Sequence, residues 1–453
     1  MSSRYTLISA LLLYLVMGCA GLAFGAVTQE EANKLGTTLT GIGAEKAGNA
    51  DGSIPAYTGG LTTAPRGFVK GSGFRPDPFA SEKPLFSINA KNMDQYADKL
   101  TEGVKAMMKK YPSYRIDVYK SHRTVALPGY VLENTKKNAV NATLAKGGYS
   151  LQNAHAGTPF PIPADGYQAM WNHQAHFFGP GTITINSESF NVDSAGVVSL
   201  SLKSLLWIDL PYYDTSIKKS DWFLRLKFDY TGPPRRAGEK VLLMDPLDYT
   251  EKGRRAWSYL PGQRRVRIAP DIAFDTPNPG TAGASTYDDT YIFNGSMERY
   301  AWKLVGKKEI YIPYNTYKLT YYKGDVKNVL QPKHMNPDFV RWELHRVWVV
   351  EATLKPGKRH VYAKRTFYLD EDSWAALSAD EYDKRGNMYR VTFAHMAPSY
   401  DALAPDSTFL AFYDLVARSY AVNLWPRVDG IKYLGKQKDR FFSPDSLVAE
   451  GVR

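Results

Sequence analysis

Residues 340–369 read VRWELHRVWVVEATLKPGKRHVYAKRTFYL, and no other segment limits the fold of this chain so tightly. Side chains on an extended strand point alternately to opposite faces. Here Val340, Trp342, Leu344, Trp348, Val350, Ala352 and Leu354 share one face, and Arg341, Glu343, His345, Glu351 and Thr353 share the other. Lys355-Pro356-Gly357-Lys358 supplies a turn, after which Val361, Ala363, Phe367 and Leu369 continue the apolar set. The pattern predicts a long antiparallel hairpin with one dry face and one wet face. Trp222, Leu224, Leu226, Phe228 and Tyr230 alternate with Phe223, Arg225, Lys227 and Asp229 in the same way. Further strands are expected near 182–192, 196–203, 239–245, 255–268, 308–313, 317–323 and 388–396. Most follow one another without a helix of crossover length, so they form a large, bent antiparallel sheet in an α+β fold. A sheet of roughly ten strands curls or closes to hide its apolar face. Two outcomes stay open from periodicity: a dry packed core, or a hollow of the kind that holds hydrophobic ligands.

The helices gather earlier in the chain. Met93, Tyr96, Leu100, Val104, Met107 and Tyr111 recur at three- and four-residue steps, predicting a helix from Asn92 or Asp94 to Pro112. Others are expected from Val131 to Lys146, closed by Gly147-Gly148, and from Asp165, as N-cap, to Phe178. Between about 40 and 90 the chain is rich in Gly and Pro, which excludes long regular elements. Its aromatic content marks it as an ordered, irregular segment draped over the main body. The division expected is a signal over 1–26, an irregular and helical segment over 27–150, and the β domain over 151–453.

Residues 1–26 carry Arg4, an apolar run from Leu7 to Met17 and then small residues, the order of a secretory signal cleaved after Gly25 or Ala26. The run falls short of the roughly 20 residues that span a bilayer. Leu15-Val16-Met17-Gly18-Cys19 also fits a lipoprotein signal acylated at Cys19. Cys19 is the chain's single cysteine, so the mature protein has no disulfide, thiol nucleophile or thiolate metal site. The net charge of +12, one less once Arg4 leaves, points after export to an anionic membrane surface rather than nucleic acid, or to a solvated basic surface.

Catalytic signatures are missing: there is no HExxH, GxSxG, Walker loop or GxGxxG at a strand-to-helix turn. His173 and His176 have a ligand-compatible spacing but no further ligands nearby in sequence, so a hydrogen-bonded structural pair under Trp171 is the simpler reading. Glu343 and His345 share a strand face where Arg341, Arg346 and Lys364 can pair with them, which reads as a solvated polar face before an acid–base pair. Arg264, Arg265 and Arg267 follow Trp257-Ser258-Tyr259-Leu260-Pro261 on a hairpin. They either dock phosphate or carboxylate head groups or pair with Asp271, Asp275, Asp288 and Asp289. The long loop after them carries Asp288-Asp289, whose spacing matches no calcium loop. No metal and no cofactor are expected.

Several stretches together carry a resemblance. They are Gly43-Ala44-Glu45-Lys46-Ala47-Gly48-Asn49-Ala50-Asp51-Gly52-Ser53-Ile54-Pro55, then Pro159-Phe160-Pro161-Ile162-Pro163 with Trp171-Asn172-His173, the WSYLPGQRRVR hairpin, and RWELHRVWVVEATLKPGKRHVYAKRTFYLDEDSW. The chain resembles, over nearly its whole mature length, the proteobacterial envelope family known as domain of unknown function 1329. The resemblance implies the fold of LolA- and LolB-type lipoprotein-localisation carriers: an incomplete antiparallel β-barrel with an apolar cavity and a helical lid. It also implies a periplasmic shuttle for a hydrophobic cargo, acting beside a resistance-nodulation-division-type exporter and an outer-membrane barrel protein. Roughly the first 120 residues have no counterpart in a minimal lipoprotein carrier.

The expected function is therefore a non-enzymatic carrier of a lipid, acyl chain or similar ligand. Trp222, Leu224, Leu226 and Phe228 from one strand, with Trp342, Leu344, Trp348 and Val350 from another, would line its hollow. Arg264, Arg265 and Arg267 would meet head groups or a membrane. Two competitors stand beside it: a scaffold linking exporter and outer-membrane protein without cargo, and a hydrolase using Glu343, His345 or Asp289.

Overall fold

A computed structural model describes residues 26–449; the signal-like segment with Cys19 lies outside them. Among the described residues no helix is long and apolar enough to cross a membrane. The strands are β1 (Phe86–Asn89), β2 (Arg115–Val118), β3 (Thr143–Ala145), β4 (Ser150–Gln152), β5 (Thr182–Val192) and β6 (Val198–Asp209). They continue with β7 (Trp222–Gly232), β8 (Lys240–Pro246), β9 (Arg255–Leu260), β10 (Arg265–Ile268), β11 (Tyr300–Pro313) and β12 (Arg341–Leu354). The last are β13 (Lys364–Asp370), β14 (Ala376–Tyr382), β15 (Met388–Ala394), β16 (Leu410–Asp414), β17 (Ser419–Trp425) and β18 (Ile431–Leu434). All but the β3–β4 ribbon join one 16-stranded sheet, ordered β1-β2-β12-β13-β14-β15-β16-β17-β5-β6-β7-β8-β9-β10, with β11 also on β12 and β18 also on β5. Neighbours pair antiparallel except β2 with β12. The two ends of this path do not pair, so the sheet stays open. The α+β class and the large antiparallel sheet are as the alternating patterns predict.

The sheet is buried on both faces. Along β16, Leu410 and Phe412 belong to the larger core while Ala411 and Tyr413 belong to a second. The larger core also takes the helices Gly129–Asn141 and Gly166–Gln174 and the long loop that follows β10. The second takes the helix Glu102–Lys110, which presents Val104, Met107 and Met108 to it. Helices therefore cover both faces of the sheet.

Double burial overturns the expected wet face of β12. Glu343 and His345 are 0% and 1% exposed. Charges cannot enter a core without partners, and here the irregular N-terminal segment supplies them. Glu343 accepts from His122 N (2.8 Å) and Asn315 Nδ2 (3.0 Å), and also pairs with Arg341. Arg346 donates to Ala47 O (2.9 Å), and Glu371 accepts from Glu45 N (3.2 Å). Arg123 grips Asp372 through both oxygens at 2.8 and 2.7 Å. Close backbone approach requires glycine at position 43, where a Cβ at φ +94° would sit 1.8 Å from Pro161 O.

Four sequence expectations are corrected by local chemistry. The helix expected from Asn92 to Tyr111 breaks into a 3-10 stretch, Met93–Lys99, and Glu102–Lys110, because the Thr101 side chain accepts from Val104 N and starts a new helix. The helix expected to reach Lys146 stops at Asn141, since Thr143–Ala145 pairs with Ser150–Gln152 and Gly147-Gly148 is the turn between them. The third helix is capped by Asp165 as expected but ends at Gln174. In place of a strand at 317–323 there is a short helix, Tyr317–Thr320; Asn315 at φ 53° turns the chain out of β11.

Breaking the N-terminal clasp should be costly. Arg123→Ala leaves Asp372 buried and unpaired, and is expected to lower unfolding free energy by about 3–5 kcal/mol in urea titration. A loss below about 1 kcal/mol, the scale of a surface pair, would show that the clasp does not hold the segment down.

Candidate ligand-binding site

On β7, Leu226 and Phe228 face the larger core opposite Leu243 and Val241 of β8. The loop from Ala269 to Ser296 crosses the same side. Its Ala269 N bonds to Ala256 O (2.9 Å), and Gly280 O receives Ser201 Oγ from β6 (2.7 Å). Between loop and sheet lies an apolar cavity of about 50 Å³, lined by Leu202, Leu226, Phe228, Leu243 and Leu424 with Asn278, Thr290 and Asn423 at its polar end. Outside it a solvent-facing basin of about 390 Å³ is lined by Arg236, Glu239, Arg267, Ile268 and Asp271. Tyr230, Val241, Ile272 and Tyr287 line both spaces and so form the wall between them. Arg236 pairs with Glu239 at 2.7 Å and lies 4.7 Å over the Tyr230 ring. Burial pushes the Tyr230 and Tyr287 phenols above their ordinary range, so both hydroxyls stay neutral.

The structure brings together three of the residues singled out in the sequence: Leu226 and Phe228 inside the wall, and Arg267 outside it. The others lie apart. A register shift between Trp222 and Leu224 turns Trp222 toward a separate cluster with Trp207 and Trp257. Leu224 and Val350 are buried in the larger core, and Trp348 packs at its margin, stacked on Trp374 at 6.0 Å. Trp342 and Leu344 lie in the second core. Ile272 and Tyr287 of the wall were not anticipated; a loop without period gives no signal of which side chains turn inward.

Arg264, Arg265 and Arg267 are exposed on the edge hairpin β9–β10, with Ile268 75% exposed beside them. The alternative of pairing with local acids is not realised: Asp271 is exposed and makes no ion pair among the described residues, and the other three acids turn elsewhere. Asp275 takes Arg299 (2.9 Å), Asp288 takes His360 (3.0 Å), and Asp289 takes Arg365 (2.7 Å) and Tyr362 Oη (2.9 Å). The last two acids fasten the C-terminal end of the loop to β13 and the approach to it. Arg365 also donates to Ile292 O (2.9 Å), and Arg390 to Gly283 O (3.0 Å). One end of the wall-forming loop is thus clamped by buried charge, while the side chains of Ile272 and Tyr287 pack against the larger core by apolar contact.

His173 serves structure: Nε2 donates to Phe293 O (3.0 Å) and Nδ1 accepts from Ala376 N (3.1 Å). Burial depresses His173 to about 4 and His176 to about 3, so both are neutral. Glu343 and His345 are in contact, but Asp289 belongs to the loop clamp with Arg365.

The buried groups give stability a defined pH dependence. Burial first, and then nearby carboxylates, push Asp380 up to about 7 and Glu381 up to about 8, so the folded chain holds protons that the unfolded chain releases. That contribution is complete below the unfolded carboxylate range and is lost as pH rises through 7 to 8. The neutral His173, His176 and His395 work in the opposite sense, but only below their unfolded value of 6.5. Above pH 6.5 the carboxylates act alone. Denaturation midpoints in chelator-containing buffer are therefore expected to fall between about pH 6.5 and 8.5, and Glu381→Gln to flatten the upper part; a flat wild-type profile would contradict this.

The chain is 43% identical over 439 residues to "Uncharacterized protein PA3922" of Pseudomonas aeruginosa, covering 94% of this chain and 95% of that protein. Three crystal structures are similar at lower levels. A putative outer membrane lipoprotein-sorting protein domain from Vibrio parahaemolyticus has TM-score 0.40 and 14% identity, covering 59% of this chain and 92% of its own. A DUF1329 family protein from Desulfovibrio piger has TM-score 0.41 and 16% identity, covering 59% and 92%. A LolA superfamily protein from Nitrosomonas europaea has TM-score 0.37 and 12% identity, covering 63% and 100%. The profile described as "Protein of unknown function (DUF1329)" matches residues 87–448, and the chain belongs to that family.

Proposed function

We propose that the protein is a periplasmic carrier that binds an amphipathic hydrophobic molecule with its tail in the inner cavity and its head at the outer basin. The observation that carries this reading is the pair of chambers that share Tyr230, Val241, Ile272 and Tyr287 in their linings. The outer basin, at about 390 Å³, is already of ligand size. The inner cavity has space for about one water by liquid packing, so a tail enters by displacing wall side chains. Taking Ile272 out of apolar contact costs about 1.5–3 kcal/mol, and each buried methylene returns about 0.8 kcal/mol. Roughly two to four methylenes offset one displaced side chain. Arg267 offers a guanidinium to a phosphate or carboxylate head group. Arg264 and Arg265 on the same exposed edge suit an anionic membrane surface, where each basic residue contributes about 1 kcal/mol. Exchange with an inner-membrane exporter and an outer-membrane barrel protein is the finer part of the same proposal.

Binding is preferred to catalysis because Glu343, His345 and Asp289 are divided between two buried charge clusters. A scaffold without cargo is the second reading, and the small volume of the inner cavity favours it. Titrating the delipidated protein with a fluorescent long-chain fatty acid separates the two. The carrier reading predicts saturable binding, weakened about tenfold or more by Leu226→Trp, which fills the cavity. Arg267→Glu should weaken an anionic probe more than a neutral one. No binding by the wild-type chain, or equal binding by Leu226→Trp, would transfer the role to the scaffold.

A further inference from the structure

Where β12, β13 and the Asp370–Trp374 turn meet, one ligand atom from each of His345, Asp370 and Asp372 lies within 4.8 Å of the others. All three residues are buried, at 1%, 0% and 3% exposure. Sequence alone does not join them: His345 belongs to one strand of the hairpin, and the acids follow the other. The surroundings have the features of a support for ligands. His345 Nε2 donates to Glu343 Oε2 (3.0 Å), and Glu343 is itself fixed by Arg341 and Asn315. A histidine held this way keeps its Nδ1 lone pair available, the arrangement in which a carboxylate orients a metal-binding imidazole. The His345 ring is also stacked on Tyr314 at 3.8 Å. Arg123 fixes Asp372 through both oxygens, each of which retains a second lone pair. Asp370 is held by its turn, with Trp374 N on Asp370 O (2.8 Å) and Ser373 Oγ on Oδ2 (2.6 Å). Its Oδ1 is buried and has no hydrogen-bond partner in the structure.

Charge points the same way. The buried guanidinium groups here are Arg123, Arg341 and Arg346, against the buried carboxylates of Glu343, Asp370, Glu371 and Asp372. Lys307 also pairs with Glu371 (2.9 Å), so four cations face four anions, yet Asp370 is the one of these carboxylates that makes no ion pair among the described residues.

We infer that His345, Asp370 and Asp372 form a binding site for a divalent transition-metal ion such as zinc. One imidazole and two carboxylates suit zinc, leaving a fourth position in its usual tetrahedral set. The ion would tie β12 to the Asp370–Trp374 turn beneath the N-terminal segment, which meets the same network through Glu45 N on Glu371 and Ala47 O on Arg346. Its role is structural and independent of the ligand pocket.

The test uses the full mature chain, stripped with chelator and titrated with zinc by calorimetry. The expected result is one saturable site, with zinc raising the thermal midpoint and slowing proteolysis within residues 40–60. Asp370→Asn keeps the shape of the Asp370 side chain and should fold; it and His345→Gln are expected to weaken zinc by about 100-fold or more, and Glu343→Gln by about 10–100-fold. Cobalt in place of zinc should give visible absorption bands that Asp370→Asn removes. Failure of the wild-type chain to bind zinc saturably would overturn the inference. Binding that Asp370→Asn leaves unchanged would overturn it equally.

Discussion

A strand of 14 residues buried on both faces cannot carry Arg341, Glu343, His345 and Arg346 unless every charge is met, and the rest of the fold is arranged around meeting them. The N-terminal segment answers this requirement. Its backbone is irregular, so its peptide groups are not consumed by helix or sheet, and Glu45 N, Ala47 O and His122 N are available to side chains of the sheet. The exchange is mutual: unpaired peptide groups find partners, and charges enter the core without standing alone. Segment and sheet are bound as one body, and β2 completes the union by pairing with β12.

The long loop after β10 repeats the solution at the other side of the molecule. Asp288 and Asp289 are buried against His360, Arg365 and Tyr362, which fixes one end of the loop by directional, charged contacts. The side chains of Ile272, near the loop's start, and Tyr287, beside the clamp, meet the sheet through apolar contacts that have no fixed direction. The backbone between them is held by Ser201 Oγ on Gly280 O and by Arg390 on Gly283 O, so these two side chains are the less directionally held part of the segment.

The sequence disclosed these features unevenly, for physical reasons. Alternation over 222–230 and 340–369 revealed two of the longest strands, and Leu226 and Phe228 were legible as inward-facing because their strand keeps its register from Leu224 to Tyr230. β5 was expected at 182–192 and spans Thr182–Val192. β14, β16 and β17 escaped notice, because strands buried on both faces lose the alternation that marks them. The same burial hid the meaning of Glu343 and His345: their alternation implied water, and only the tertiary structure puts the N-terminal segment where water was expected. Trp222 was misplaced by a bulge that pattern cannot register. The wall and the His345–Asp370–Asp372 set arise from chain crossings and leave no mark in local sequence.

The proposed role of the two chambers is to hold a hydrophobic ligand. It is tested most directly by native mass spectrometry of the mature protein purified without detergent from the envelope of its own host, followed by lipid extraction. The account predicts a mass increment of one amphipathic molecule per chain, released when the protein is unfolded. A chain that flies at its bare protein mass under conditions that preserve known lipid complexes would contradict it.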